Sequence, residues 1–143
     1  MVLCGGGFVN LVRARDLNIE KDYWNQESCT EVLNLSRLYQ IRQTYRDYFE
    51  AGADVVVTNM FGAALLTLSE LNLKARTHEN SKLAAEVARE AADSFSASGL
   101  HLVVGSVGPG TQRPSLGNID HDSLEAAMAM QSCRLIAGGW TPS

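Results

Sequence analysis

Apolar and polar positions follow a repeating order along the chain: helical periodicity, a glycine, a β-branched run, a polar loop, then a helix again. Leu38, Ile41, Tyr45, Tyr48 and Phe49 recur at helical spacing, and Gly52 supplies the stop. Asn34 or Ser36 is placed to cap that helix by accepting from a free backbone N–H. Residues 54–58 predict a strand whose Val55-Val56-Val57 run reads as buried on both faces, as in a parallel sheet. A short helix is predicted over 63–71. A longer one is predicted over 77–97, with Leu83, Val87, Ala91 and Phe95 on one face. Gly99 ends it, and 100–106 predict the next buried strand. A loop with Gly108, Pro109, Gly110, Pro114 and Gly117 spans 107–119. Asp120 or Asp122 is placed to cap a final helix whose face carries Leu124, Ala127, Met128 and Leu135.

The start is less regular. Residues 2–4 predict a short first strand closing on Gly5-Gly6-Gly7. Residues 16–30 are polar and irregular, with Tyr23 and Trp24 as their anchors into a core. Ala51-Gly52 precedes one predicted strand and Ser98-Gly99 the next. Ala137-Gly138-Gly139 should precede a third, but Trp140-Thr141-Pro142-Ser143 follow. Residues 1–143 are therefore expected to form one incomplete domain, a truncated α/β sheet.

Composition narrows the function classes. Of the 143 residues, 45% are hydrophobic and 20% charged, as in an ordinary globular domain. The formal net charge is −4, from 12 basic and 16 acidic residues, and the basic residues form no stripe. Nucleic acid is therefore not an expected partner. No apolar run reaches the ~18–20 residues that span a bilayer, and no charged segment leads into an apolar one at the start. Neither membrane nor signal peptide is expected. Cys4, Cys29 and Cys133 are odd in number and far apart, so neither a disulfide framework nor a zinc cluster is read from them. A reducing cytoplasm is the expected location. Cys29 has no local partner to activate it, and Cys133, in a helix, is expected to be a small buried residue.

Ligands of parallel α/β folds sit beyond the carboxyl ends of the strands. Thr58, Asn59 and Phe61 stand there, offering a hydroxyl, an amide and an apolar wall; the plain alternative is that Thr58 and Asn59 satisfy nearby backbone groups. Ser106, in Gly105-Ser106-Val107-Gly108, is placed to face the same pocket, or to form a tight turn. Gly5-Gly6-Gly7 offers backbone N–H groups to a carboxylate or phosphate, or is a simple turn. It lacks a dinucleotide-binding spacing, and no Gly-Lys-[Ser/Thr] follows Gly110. His78, His101 and His121 have no partner at a metal or triad spacing. Glu86, Glu90 and Asp93, interleaved with Lys82 and Arg89, read as a solvated helix face.

Several of these segments, in one order, resemble the homocysteine S-methyltransferase family. They are Asn34-Leu35-Ser36-Arg37, Tyr48-Phe49-Glu50-Ala51-Gly52-Ala53-Asp54, Thr58-Asn59-Met60-Phe61-Gly62, Gly105-Ser106-Val107-Gly108-Pro109 and Ser115-Leu116-Gly117-Asn118-Ile119. The texture is most similar to the N-terminal homocysteine-binding domain of cobalamin-dependent methionine synthases. The resemblance implies a partial (β/α)8 TIM barrel, roughly the first three βα units, with 140–143 departing from the family. It implies methyl transfer to homocysteine, giving methionine. In the family, zinc held by three cysteine thiolates binds the substrate sulfur as thiolate, and methyl-cobalamin or another donor supplies the methyl group. A free thiol, with a pKa of ~8.5, is mostly protonated at neutral pH, so the metal is what frees the nucleophile.

Carried over by position, Thr58, Asn59, Phe61 and Ser106 resemble the substrate wall, and Gly5 and Gly6 the turn that holds the amino-acid carboxylate. Cys4 stands where the family has an aspartate before that turn, and Phe8-Val9 where it has Gly-Thr. None of the three cysteines matches a zinc-ligand motif, so this chain alone is expected to be inactive. Two other functions remain open. One is a non-enzymatic half-barrel that self-associates through its open edges; the other is an unrelated phosphate-binding α/β enzyme using Gly5–Gly7 and Gly108–Gly110.

Overall fold

The computed structural model describes residues 1–61, 76–95, 99–108, 114–117 and 119–137. Two parallel strands, β1 (Val55–Val57) and β2 (Leu102–Val104), pair in the register Val55↔Leu102, Val56↔Val103 and Val57↔Val104. The expected first strand appears as a single parallel bridge, Cys4↔Val55, on the other edge of β1. Around it, Gly5 N–H donates to Val55 O at 2.8 Å and Asp54 N–H to Leu3 O at 2.8 Å. Three parallel backbone segments thus lie side by side with β1 in the middle. Parallel neighbours require crossover connections, and the helices supply them.

The helices are α1 (Phe8–Arg13), α2 (Leu33–Ser36), α3 (Leu38–Glu50), α4 (Thr77–Ser94) and α5 (His121–Ala137). Helix α1 and the 3-10 turn Thr30–Val32 were not expected from the sequence pattern. Both are too short for periodicity to register. Helix α3 ends as expected: Gly52, at φ +93, takes the left-handed conformation that closes a helix, and its N–H donates to Phe49 O at 3.0 Å. Its start is a correction. No side chain caps α3, because Asn34 is drawn into the interior. Instead Arg37, at the start of the helix, pairs with buried Asp22 at 2.6 Å, and Ser36 Oγ donates to Asp22 O. Asp120 does cap α5, accepting from Ser123 N–H at 2.8 Å and from its hydroxyl at 2.6 Å.

Alternation divides the strand residues between two faces. Val56 and Val103 point to the helices and join Ile41, Tyr45, Phe49 and Val87 in the larger apolar cluster. On α4 that contact is made by Ala88, Ala91 and Ala92 as well as Val87, and α4 packs on α3. The opposite face is where the strand expectation fails. Val55 and Val56 of β1 are buried and Val57 is half-buried, but Leu102 and Val104 of β2 are 40% and 46% exposed. No strand lies beyond β2 among the described residues.

A smaller cluster joins Cys29, Val32, Met60, Ala84, Ala85 and Leu135, with Trp24 against it, so Tyr23 and Trp24 anchor segment 16–30 to the two clusters. Cys133 is exposed, not buried: its neighbour along the apolar stripe is Leu135, and residue 133 falls off that face. The charged face of α4 carries the expected pairs Lys82–Glu86 and Arg89–Asp93, while Glu90 reaches α3 to pair with Arg42 at 2.7 Å. The expected helix 63–71, the last two residues of the expected helix 77–97, part of loop 107–119, and 138–143 lie outside the described residues.

Candidate functional site at the strand ends

The chain leaves β1 and turns inward. Thr58, Asn59 and Met60 are buried, and Phe61 emerges 62% exposed. Thr58 N–H continues the ladder to Val104 O at 2.9 Å, and Thr58 Oγ1 accepts from Ser106 N–H at 2.9 Å. Phe61 lies over Gly108, where an added Cβ would sit 2.9 Å from the ring. The structure therefore brings Thr58, Phe61 and Ser106 into one place, built from the loops after both strands.

Asn59 points the other way. Its Oδ1 accepts from Thr30 Oγ1 at 3.1 Å, and its Nδ2 donates to Thr30 O at 2.9 Å and Asn34 Oδ1 at 3.1 Å. Asn34 Nδ2 donates in turn to Asn59 O and to Asn80 Oδ1, both at 2.8 Å, and Asn80 Nδ2 to Glu31 O at 2.8 Å. Tyr45 Oη accepts from Asn59 N–H at 2.8 Å. Every one of these side chains is buried, where an unpaired amide is costly, so their mutual satisfaction fixes the strand end rigidly. Burial pushes the Tyr45 phenol above its ordinary value, opposed by the Asn59 N–H bond, so it remains protonated at neutral pH.

Asn80, in this network, and Gln131, whose amide donates to Met60 O and Ser106 O, were not singled out from the sequence. The signal was present. Asn80 continues the buried stripe of α4 one turn before Ala84, and Gln131 lies midway between Ala127 and Leu135 on the buried stripe of α5. A polar residue occupying an apolar stripe marks a paired interior group.

The glycine turn sits at the other edge of β1. Gly5 N–H is taken by Val55 O, so it is not free for an anion. Gly5 is also pressed against Tyr48, whose ring lies 2.9 Å from where a Cβ would be, and Tyr48 Oη donates to Gly6 O. Gly6 is exposed with open space around it. Gly110, part of the expected phosphate cradle, lies outside the described residues.

The arrangement offers hydroxyls, backbone amides and an aromatic wall, which suit binding and orientation of a small polar molecule. No group of three or more His, Cys, Asp or Glu able to hold a metal occurs among the described residues. Cys29 is buried and its thiol donates to Glu31. Burial, then the charge of Glu31 and the 3.4 Å bond to it, push its thiol up to about 12. The three cysteines do not fit a zinc site. A groove lined by Asp16, Leu17, Asn18, Ile19, Glu20 and Asn25 is formed by none of the strand-end residues. No helix among the described residues is long and apolar enough to cross a membrane.

Comparison with known proteins gives this geometry its context. The sequence profile of the family described as homocysteine S-methyltransferase matches residues 1–140. Methionine synthase of Mycobacterium tuberculosis (strain ATCC 25618 / H37Rv) is 34% identical over 140 residues, which is 96% of this chain and 12% of that protein. Methionine synthase of Mycobacterium leprae (strain TN) is 34% identical over 119 residues, 82% of this chain and 10% of that one. The crystal structure of the homocysteine methyltransferase MmuM from Escherichia coli, metallated form, superposes with a TM-score of 0.76 at 22% identity. That match covers 98% of this chain and 51% of the MmuM chain, and it shows an α/β fold similar to the homocysteine methyltransferase TIM barrel. The chain spans about half of that structure and a far smaller share of the two synthases. With its profile matched from residue 1 to 140, the chain belongs to the homocysteine S-methyltransferase family.

Proposed function

We propose that residues 1–143 supply the first three βα units of a homocysteine-binding barrel, and with them one wall of the pocket in which homocysteine is methylated to methionine. The observation that carries this reading is the joining of the two strand-end loops. Ser106 N–H binds Thr58 Oγ1, and Phe61 stands exposed over Gly108 beside them, in a chain of this family. Phe61 and Ser106 contact the substrate, with Gly6 at the neighbouring turn. Thr58 and Asn59 hold that wall from behind, and Gly5 fits the turn against Tyr48.

Zinc, which the family uses to free the homocysteine thiolate, is not held by Cys4, Cys29 or Cys133. The methyl donor, methyl-cobalamin or another, is assigned to none of the residues described. The chain alone therefore binds without catalysing. Titration of 15N-labelled chain with L-homocysteine is expected to move the amides of Phe61, Ser106 and Val107. Saturating homocysteine that moves none of them refutes the reading. Stoichiometric zinc at nanomolar affinity would refute the account of the metal.

A second reading rests on the open face of β2, where Leu102 and Val104 are exposed and no further strand lies alongside among the described residues. Such an edge pairs readily with another chain, and a self-associating half-barrel would use it. Light scattering separates the two: a discrete dimer supports this reading and a monomer removes it. The phosphate-binding alternative is not favoured, since Gly5 N–H is already committed to Val55 O and the family match points elsewhere.

A further inference from the structure

Gln131 is the one side chain described that reaches both strand-end loops from a separate helix. Its Nε2 donates to Met60 O at 2.9 Å and to Ser106 O at 3.4 Å. Met60 follows β1 and Ser106 follows β2, so a single amide on α5 spans the two segments that carry Phe61 and Ser106. The helix is itself anchored one turn later, where Leu135 packs with Met60 in the smaller cluster.

Burial makes the choice of residue informative. Gln131 is 2% exposed, and its Oε1 has no hydrogen-bond partner among the described residues. A leucine or methionine would fill such a position without leaving a polar oxygen dry. What this amide does that an apolar side chain could not is bind the two loop carbonyls through its N–H groups. Thr58 and Ser106 already join the loops on one side, so Gln131 closes a second tie that fixes their separation.

We infer that Gln131 is a positioning residue for the homocysteine wall, setting the spacing between Phe61 and Ser106 by holding Met60 O and Ser106 O together. The inference rests on the homocysteine reading of the site. The clamp itself is a separate physical claim and is tested separately.

The test uses the full 15N-labelled chain with Gln131→Met, close in shape and without a donor, and Gln131→Glu, which keeps a polar end but has at most one donor hydrogen and so cannot hold both carbonyls. Amide hydrogen exchange reads the clamp, and L-homocysteine titration reads its consequence. In both variants exchange at the Ser106 amide should rise at least tenfold, with α3 and α4 amides unchanged, and homocysteine affinity should fall at least tenfold. An unchanged Ser106 amide in a folded variant overturns the clamp. Exchange that rises equally in α3 and α4 also overturns it, because Gln131 would then be a general stabiliser. A clamp confirmed by exchange with unchanged homocysteine affinity overturns the positioning role. Wild-type chain that binds no homocysteine overturns the functional reading, while the exchange data still decide the clamp. Gln131→Glu serves if Gln131→Met does not fold.

Discussion

Asn59→Ala is the sharpest test of how the strand end is held. The substitution removes one bond accepted from Thr30 Oγ1 and two donated, to Thr30 O and Asn34 Oδ1. All three partner atoms belong to buried residues. At ~1 kcal/mol for each buried group left unpaired, the low end of the range, the loss is about 3 kcal/mol, and the vacated volume adds to it. Against a total stability of ~5–15 kcal/mol that is a large fraction. With a urea dependence of ~2 kcal/mol per M, the unfolding midpoint should fall by about 1.5 M, followed by far-UV circular dichroism. Asn59→Asp makes the argument more specific. It preserves shape and the acceptor for Thr30 Oγ1, yet sets a carboxylate against Thr30 O and Asn34 Oδ1. Despite its similar shape it should cost at least as much as alanine at neutral pH. A loss under about 1 kcal/mol for either variant would refute the view that this network carries the strand end.

Other outcomes follow from single contacts. Gly108→Ala should displace the Phe61 ring, since its Cβ would lie 2.9 Å from that ring and 3.1 Å from Phe61 O. The measurement is the Phe61 amide and ring shifts, and an unchanged spectrum would refute the packing. Cys4 and Cys133 should react with a thiol reagent in the native chain, and Cys29 only after denaturation; rapid reaction of all three would refute its burial. Because Cys29 is raised from an ordinary 9.0 to about 12, the folded state keeps its proton where the unfolded state loses it. Its contribution is fully present below pH 9 and declines above it by about 1.4 kcal/mol per pH unit until the folded value is reached. Tyr45, also raised, acts in the same direction at higher pH. Cys29→Ala should flatten the slope just above pH 9, as read from urea midpoints across that range; a slope unaltered by the substitution would refute the assignment.

By itself the sequence determined helices α3, α4 and α5, strands β1 and β2, the parallel α/β class, and the position of the strand-end loops. Period-3.6 and β-branched runs record directly which face of an element meets a core, and Gly52 and Asp120 act on groups only a few residues away. The motifs around Thr58 and Ser106 also sufficed to indicate the family. Only the tertiary structure decided how the polar residues are used. Asn34 looked like a cap for α3 and is instead tied to Asn59 and Asn80; Cys133 looked buried and is exposed. Residues 100–106 looked like a strand covered on both sides, and one face of β2 is open. The reason is separation along the chain. Asn34 meets Asn80 across 46 residues and Gln131 meets Met60 across 71, so no local pattern can encode the pairing. A buried amide announces that a partner exists; packing of α2, α4 and α5 around the end of β1 determines which one.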